Sequence, residues 1–357
     1  MQYQARSFDK YMQTEERRGK RKMVKTKDAV NDMTVGTPAK LIIQFMIPVF
    51  LGNIFQQFYN IADSIVAGQF IGVKALAAIG STGSLMFFVT GWLNGLSSGF
   101  AILVSQWFGA KQYDKMRHYV AMSVYLAGGC AVLMTAGLLI ANEPILRMMN
   151  YSAEIMPEVK QYMGIIYAGL IVTAAYNSLA AFLRAIGDSK SPLYFLIISA
   201  VINVALDVVF IVVFGMGVEG CAYATVIAQA ISALLCFIYI VKKFPILHLT
   251  KSDRKISFQS FGRLLSLGIP MGLQFSITAI GTIIVQGAVN VYGETYMAGF
   301  SAAGKLQNMI MTVFVAFGAT VATYVGQNRG AGRMDRVKSG VRCSGSAGGH
   351  PGQGQRD

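Results

Sequence analysis

A chain of 357 residues in which 54% of the side chains are hydrophobic and only 13% are charged is too apolar for a soluble protein of this size. Its net charge of +14 is dispersed over short loops without an aromatic stacking platform, which argues against nucleic acid as a partner. Composition therefore excludes a soluble globular domain and indicates an integral membrane protein.

The chain begins with a polar, basic segment at residues 1–33, which includes EERRGKRKMVKTK and has no apolar face. A segment of this composition cannot bury enough apolar surface to fold, so we predict a disordered basic tail. The segment also lacks the apolar core of a secretory signal.

Eight mostly apolar stretches follow, each long enough to cross ~30 Å of hydrocarbon as a helix that rises ~1.5 Å per residue. They lie at residues 40–66, 75–105, 119–141, 157–183, 191–214, 217–241, 258–290 and 296–325. Strands of a transmembrane barrel would be about 10 residues long with alternating polarity, and the sequence contains no such pattern. We therefore predict an all-α, polytopic membrane fold.

Basic residues indicate how these spans are oriented. Most of the 31 Lys and Arg residues fall in the amino-terminal segment and in alternate loops, whereas the other loops carry only Lys74, Arg147 and Lys160. Because basic residues that flank a span are retained on the cytoplasmic side, we predict a protein of the cytoplasmic membrane with its amino terminus in the cytoplasm.

A phrase of twelve residues occurs twice in the chain. QWFGAKQYDKMR begins at Gln106 and returns at Gln327 as QNRGAGRMDRVK, with Gln, Gly, Ala and Asp in register, which indicates a duplicated architecture. The predicted parts are a first lobe of six helices at 34–241, a cytoplasmic loop at 242–257, a partial second lobe of two helices at 258–338 and a tail at 339–357. This tail is Gly-rich and aperiodic, looks non-native and is expected to pack against nothing. About eight of twelve transmembrane helices would then be present.

Apart from charges within the first six residues of a span, the charged side chains inside the predicted spans are Asp63, Asp207 and Lys305. A carboxylate in hydrocarbon costs roughly several kcal/mol, so such residues face the bundle interior and usually belong to an ion or proton path. Counting along straight helices places Asp63, Asp207 and Thr225 in the outer half of the bilayer, where they can converge. For Lys305 three alternatives stay open, namely lining a cavity, pairing with a carboxylate, or extending to the membrane interface.

Polar neighbours accompany both acids. Asn203 precedes Asp207 by four residues and therefore shares its helix face, while Gln56 and Asn60 lie on a common stripe with Asp63 and are candidates for a cavity lining. Two carboxylates with amide and hydroxyl oxygens suit either Na⁺, which takes hard oxygen ligands, or a shared proton. The alternative is that Asp63 caps its helix and Asp207 pairs with a neighbouring polar group.

Other features of the spans favour structural roles. Gly91, Gly95 and Gly99 form GxxxGxxxG, which lets helices approach closely. Pro48 and Pro270 occupy nearly equivalent positions in the two repeats, where each frees a backbone carbonyl and permits a bend, so both are hinge candidates. The four cysteines include no CxxC pair, so neither a disulfide framework nor a metal site other than one for Na⁺ is indicated.

Several long phrases, in order, resemble the MATE (multidrug and toxic compound extrusion) family of secondary transporters. They are TVGTPAKLIIQFMIPVFLGNIFQQFYNIADSIVAGQFIG from residue 34, LAAIG at 76–80, GAK at 109–111, FLRAIGDSKSP at 182–192, NVALDVVF at 203–210, GVEGCAYAT at 217–225 and VGQNRGAGRMDRV at 325–337. The resemblance covers residues 34 to about 343. It is strongest to the bacterial branch that keeps its acids in the first lobe, since Ile284 occupies the repeat position of Asp63.

The resemblance implies two six-helix lobes related by a pseudo-twofold axis, around a cavity that opens alternately to each side of the membrane. It also implies export of organic cations, driven by inward movement of H⁺ or Na⁺ without any other cofactor. The family's first-lobe cation site maps onto Asp63, Asn203, Asp207 and Thr225 of this chain. We expect a monomer whose partners are small organic cations and membrane lipids.

Two other functions stay open at this point. A lipid or polysaccharide-precursor flippase of the same superfamily would favour basic cavity residues such as Lys305, and a membrane remnant would insert without transporting anything. An enzyme is not expected, because no HExxH, Walker, nucleophile-elbow or metal-ligand pattern occurs. With part of the second lobe missing, we expect the chain by itself to be an inactive or incomplete fragment.

Overall fold

The computed structural model describes residues 32–149, 151, 153–290 and 294–347. Within these ranges the chain forms eleven α-helices and no β-strand, which confirms the all-α fold class. The helices are α1 (Pro38–Phe70), α2 (Val73–Ser81), α3 (Gly83–Gly109), α4 (Tyr113–Met148), α5 (Met156–Ala168), α6 (Leu170–Ala185), α7 (Lys190–Val208), α8 (Val218–Lys243), α9 (Phe258–Asn290), α10 (Glu294–Gly330) and α11 (Met334–Ala347).

The helices that are long and apolar enough to cross a bilayer follow the order of the predicted spans. Among the described residues, seven helical segments are long and apolar enough to cross a bilayer, and the pair α5 and α6 brings the number to eight. These two helices meet at an angle of 48° around Gly169, so the fourth span is bent. The polytopic architecture is thus confirmed, and the bend is a feature that hydropathy does not reveal.

Buried apolar side chains concentrate in the first lobe. One cluster surrounds Trp107 and Phe182, and a second surrounds Tyr167. A third and smaller cluster joins Phe45 of α1 to Tyr324 of α10, across the boundary between the two repeats. The first lobe therefore has its own core, and the second repeat docks onto it.

The repeated twelve-residue phrase forms the same turn twice. After α3, Lys111 has φ 56°, and after α10 the equivalent Gly332 has φ 72°. The Gln112 N–H donates to the carbonyl oxygen of Trp107 (3.1 Å), and the equivalent bond in the second copy is 2.9 Å long. A left-handed residue together with this hydrogen bond is a common way to end a helix. The duplication inferred from the letters is therefore also present in the backbone.

The two copies of the phrase also touch each other. A Cβ atom built on Gly109 would lie 1.9 Å from the carbonyl oxygen of Gln327, and one built on Gly330 would lie 1.8 Å from that of Gln106. The glycine of each copy thus contacts the glutamine carbonyl of the other copy. This reciprocal contact is what a two-fold interface requires. We call the end of the bundle that holds these turns and the loop at 244–257 the basic end.

Earlier in α3, two glycines of the GxxxGxxxG motif face α9. A Cβ atom on Gly95 would lie 2.5 Å from the Met271 carbonyl oxygen, and one on Gly99 would lie 2.6 Å from Gly268 Cα. Helix association in lipid depends on such close van der Waals contact, because lipid tails are as apolar as the side chains themselves. The motif joins the two repeats by packing, in agreement with its predicted structural role.

Packed structure begins earlier in the chain than the predicted end of the disordered tail at residue 33. Met33, assigned to the disordered tail, is 1% exposed, and its N–H donates to Gln327 Oε1 at 3.0 Å. Its carbonyl oxygen accepts a hydrogen bond from Asn328 Nδ2 at 3.1 Å. The predicted boundary at residue 33 is wrong because amides from a distant span hold this backbone; residues 1–31 lie outside the described residues.

The predicted tail also packs further than expected. Helix α11 continues to Ala347, and a Cβ atom on Gly340 would lie 2.3 Å from the ring of Tyr324. Asp335 lies in its first turn, where a carboxylate favours the positive end of a helix. The prediction that residues from 339 onward pack against nothing is therefore wrong at Gly340, and residues 348–357 lie outside the described residues.

The two hinge candidates lie inside continuous helices. Pro48 is buried within α1 and Pro270 is exposed within α9, and both helices continue past the proline. Each proline removes one backbone hydrogen bond from its helix. Their role as hinges stays a prediction.

The loop that joins the lobes is clamped to the start of α4. Arg117 Nε donates to Asp253 Oδ2 at 3.0 Å, and Thr250 donates to the same oxygen through its N–H (2.9 Å) and its hydroxyl (2.6 Å). His118 Nδ1 lies 3.1 Å from the Asp253 carbonyl oxygen, and its Nε2 lies 3.0 Å from Ser260 Oγ. Burial raises the pKa of the Asp253 carboxyl, but the hydrogen bonds from Thr250 and Arg117 outweigh burial and hold that pKa below its ordinary value.

We expect Asp253→Asn to destabilise the protein by on the order of 2 kcal/mol at neutral pH, because it removes a charged partner of the nearly buried Arg117. The depressed pKa means that this stabilisation is complete above the ordinary Asp pKa of about 4 and is lost as pH falls through the folded-state value. Thermal unfolding of the detergent-solubilised protein at pH 7 and in acid measures both effects. Asp335→Asn, which alters an exposed carboxylate 3.5 Å from Arg333, is the control and should barely change the melting temperature.

Candidate cation site

Three helices of the first lobe bring the predicted site residues together. Asp63 lies in α1, Asn203 and Asp207 lie four residues apart on one face of α7, and Thr225 lies in α8. All four side chains are buried, with exposures of 4%, 0%, 0% and 4% respectively. The four side chains therefore lie together, as the sequence analysis expected. Their role in cation binding stays a prediction.

The Asp63 carboxylate is at the centre of this cluster. Thr225 Oγ1 donates to Asp63 Oδ2 at 3.2 Å, across a sequence separation of 162 residues. Asn203 and Asp207 also neighbour the Asp63 carboxylate, but neither forms a hydrogen bond of normal geometry with it. Asp63 thus bonds to another helix rather than capping its own.

Unpaired polar atoms are concentrated in the cluster. Within the described part of the chain, six buried side-chain atoms here have no hydrogen-bond partner: Tyr59 OH, Asp63 Oδ1, Asn203 Nδ2, Asn203 Oδ1, Asp207 Oδ1 and Asp207 Oδ2. Native interiors leave few such atoms, and each one calls for an explanation such as an ion or a proton. Since Asp207 pairs with no polar neighbour, the structural alternative from the sequence does not account for it.

Two tyrosines complete the cluster and were missed by sequence reasoning. Tyr59 of α1 is buried beside Asp63 and Thr225, and Tyr162 of α5 is buried near Asp63 and Asp207. Tyr59 lies one helical turn before Asp63, a spacing that could have identified it. For Tyr162 no comparable signal exists, because its position depends on how the bent fourth span packs.

The backbone next to Asp207 is irregular. α7 ends at Val208 and continues as a π turn over Val209–Val213, and the Phe214 N–H donates to the Val209 carbonyl oxygen at 3.1 Å. Single π turns inside helices are frequent at functional sites, because they shift the register of the side chains that follow. The carboxylate therefore sits at the last regular turn of its helix.

The other predicted candidates do not join the buried cluster. Gln56 is half-buried and Asn60 is exposed, so both stay candidates for a cavity lining only. The side chain of Lys305 lies outside the described residues. Ile284, at the repeat position of Asp63, is 67% exposed, and no acid of α9 mirrors the first-lobe cluster.

The cluster has the chemistry of a site for a small cation. Two neighbouring buried carboxylates that are both ionised and unpaired cost several kcal/mol, and a bound Na⁺ or proton removes much of that cost. Carboxylate, amide and hydroxyl oxygens are also the hard ligands that such cations take. The donor set therefore fits either ion.

Comparisons with known proteins identify the family. Residues 48–209 match the family MatE. The probable multidrug resistance protein YpnP of Bacillus subtilis is 32% identical over 310 residues, which are 86% of this chain and 68% of that protein. The probable multidrug resistance protein YoeA of the same bacterium is 30% identical over 305 residues, 84% of this chain and 66% of that protein. The chain thus spans about two thirds of these relatives.

The fold agrees with a solved structure described as the outward-facing conformation of a multidrug resistance MATE family transporter of the MOP superfamily. The TM-score is 0.83 at 22% identity, over 92% of this chain and 72% of that chain. At this identity the likeness supports the fold alone, while the closer relatives carry the family assignment. This chain belongs to the MATE family of multidrug efflux transporters.

Proposed function

We propose that this chain forms the cation-coupling lobe of an antiporter that exports organic cations across the cytoplasmic membrane. The observation that carries the proposal is the pair of buried carboxylates, Asp63 and Asp207, which leave three of their four oxygens unpartnered. A side-chain pair of this kind is costly in a bilayer and is kept where it binds an ion or a proton.

In the proposed mechanism, H⁺ or Na⁺ enters from outside and neutralises the carboxylates. The packing of α1, α7 and α8 around Asp63 and Asp207 then changes, and the affinity for the organic cation falls. The cargo leaves outward, and release of the coupling ion to the cytoplasm resets the site. Coupling requires that the ion and the cargo each bind the two states with different affinity.

The proposed orientation places the basic end in the cytoplasm. Lys111, Lys190, Lys251 and Arg333 are exposed there, and basic residues that flank spans are retained on that side. The amino terminus is then cytoplasmic, the cation site lies towards the outer face, and the working unit is a monomer.

Efflux from proteoliposomes tests the proposed function. Ethidium movement is followed after an imposed pH gradient, an imposed Na⁺ gradient, or neither, for this chain and for a twelve-span chain that carries it as its amino-terminal part. A central cavity needs both lobes, so we expect ion-driven ethidium movement with the twelve-span chain and none with this chain alone. The arm that responds identifies the coupling ion. Ethidium movement that ignores both gradients, or no movement in any arm, would contradict the proposal.

A further inference from the structure

A groove at the basic end lies between the surface of α4 and the loop that joins the two lobes. Its volume is about 220 Å³, and it is lined by Ala121, Val124 and Tyr125 of α4 and by Leu249 and Arg254 of the loop. Val124 and Tyr125 are 44% and 42% exposed, although they lie on a helix that crosses the membrane. The floor of the groove is thus apolar and continues into the lipid-facing surface of α4.

The loop wall of the groove is fixed in place. Asp253, the residue before Arg254, is 5% exposed and points away from the surface to Arg117 and Thr250. His118 holds the backbone of the same residue, with its Nδ1 3.1 Å from the Asp253 carbonyl oxygen. Arg254 is therefore presented by an anchored segment rather than by a free loop.

The charge presented at the groove is entirely positive. Lys251, Arg254 and Lys255 are exposed. Asp253, the one acid in the segment 251–255, is paired with Arg117. Within the described part of the chain, Arg254 forms no ion pair with a carboxylate. This patch is complementary to an anionic group.

Taking Arg117, near the start of α4, as the level of the headgroups puts the floor of the groove near the boundary between headgroups and hydrocarbon. Val124 and Tyr125 lie seven and eight residues after Arg117, or about 10–12 Å further along a straight helix. Tyrosine is enriched at this level of a membrane, and basic pockets between helices on the cytoplasmic side bind lipid phosphates. An apolar floor below and a guanidinium above fit one amphipathic ligand.

We propose that this groove binds an anionic phospholipid, with its phosphate on Arg254 and an acyl chain against Val124 and Tyr125. Guanidinium suits this task because it stays charged and offers two parallel donors to phosphate oxygens. The bound lipid would hold the inter-lobe loop to the bilayer surface, a role separate from the cation site in α1, α7 and α8.

Lipid titration of the purified full chain tests the proposal. Phosphatidylglycerol or phosphatidylcholine with the same acyl chains is added in detergent, and bound lipid is counted by native mass spectrometry while melting temperatures are recorded. We expect phosphatidylglycerol alone to add one tight lipid and raise the melting temperature. Arg254→Gln should weaken its apparent affinity by about fivefold, as one base near an anionic surface contributes.

Two further variants keep the result specific. Val124→Trp fills the apolar part of the groove at an exposed position and should also displace the lipid, although Arg254 remains. Arg333→Gln removes an equivalent charge from another loop at the basic end and should leave the affinity unchanged. Equal binding of phosphatidylcholine, unaltered binding by Arg254→Gln, or the same stabilisation by inorganic phosphate would overturn the proposal, the last by indicating a site for a free anion.

Discussion

In the twelve-span chain, asparagine in place of Asp207 is expected to lower ion-coupled ethidium efflux by about 5- to 150-fold, the usual range of coupling between two sites, while leaving the protein at least as stable as the wild type. The substitution keeps the size and the polarity of the side chain but removes its charge. If Asp207 binds the coupling ion, the gradient then has far less effect on the two-state equilibrium, and gradient-driven transport falls by that factor.

The Asp207→Asn variant should be as stable as the wild type or more stable, even though its transport falls. Asp207 is 0% exposed and both of its oxygens lack a partner, so the carboxylate costs folding energy instead of supplying it. An amide at the same place costs less, because it is neutral. Loss of transport together with an unchanged or raised melting temperature is a combination that a purely structural residue would not produce.

Asp188→Asn is the matched control for this experiment. Asp188 Oδ1 accepts hydrogen bonds from the N–H groups of Lys190 and Ser191 at the start of the same helix, α7, and an asparagine oxygen can accept both. Asp188 Oδ2 accepts from the Ser191 hydroxyl, which can instead accept a hydrogen bond from the asparagine NH2. This variant should transport at the wild-type rate. Undiminished, gradient-driven efflux by the Asp207→Asn variant would refute the assignment of the coupling site, and Asp63→Asn gives an independent second test.

Parts of the site were predictable because helix periodicity is a local property. A spacing of four residues places Asn203 and Asp207 on one helix face, however the helix packs against its neighbours. The cost of a carboxylate in lipid then requires both acids to face inward. The positions of Tyr162 and the π turn after Asp207 were not predictable, since they depend on the packing of the fourth and fifth spans.

The wrong predictions near both ends of the chain have the same explanation, because packing there depends on residues that are distant in sequence. Composition gave no reason to expect order at Met33, since the groups that hold it, Gln327 and Asn328, lie almost 300 residues away. The Gly-rich letters around Gly340 predicted an unpacked tail, whereas a glycine is what Tyr324 requires at close range. Small residues signal either disorder or tight contact, and only the partner distinguishes these cases.

The second large effect is expected from the reciprocal glycines at the basic end. Alanine at Gly109 or Gly330 places a methyl group 1.9 or 1.8 Å from a backbone carbonyl oxygen of the other repeat. Backbone cannot move aside as a flexible side chain can, and a comfortable contact needs about 3.5 Å, so α3 and α10 must separate by roughly 2 Å. The contact between the two repeats at the basic end should then be lost.

Spin labels at exposed Lys190 in the first lobe and exposed Met334 after α10 report this separation by pulsed electron resonance. We expect a longer and broader distance distribution in either alanine variant, together with a lower melting temperature. Gly128→Ala is the control, because no atom lies within 4 Å of a Cβ at that position of α4. An unchanged distance in the Gly109 and Gly330 variants would show that the repeats do not depend on this contact.

The pseudo-twofold arrangement also predicts how the double variant, with alanine at both Gly109 and Gly330, should behave. The Gly109 and Gly330 contacts lie side by side on one crossing of α3 and α10, so a separation that relieves one contact relieves the other as well. The double variant should therefore move the labels little further than either single variant, which is strong non-additivity between sites that share a cause. Additive displacements would instead mean that the two contacts yield independently, and that the repeated phrase does not form a single closure.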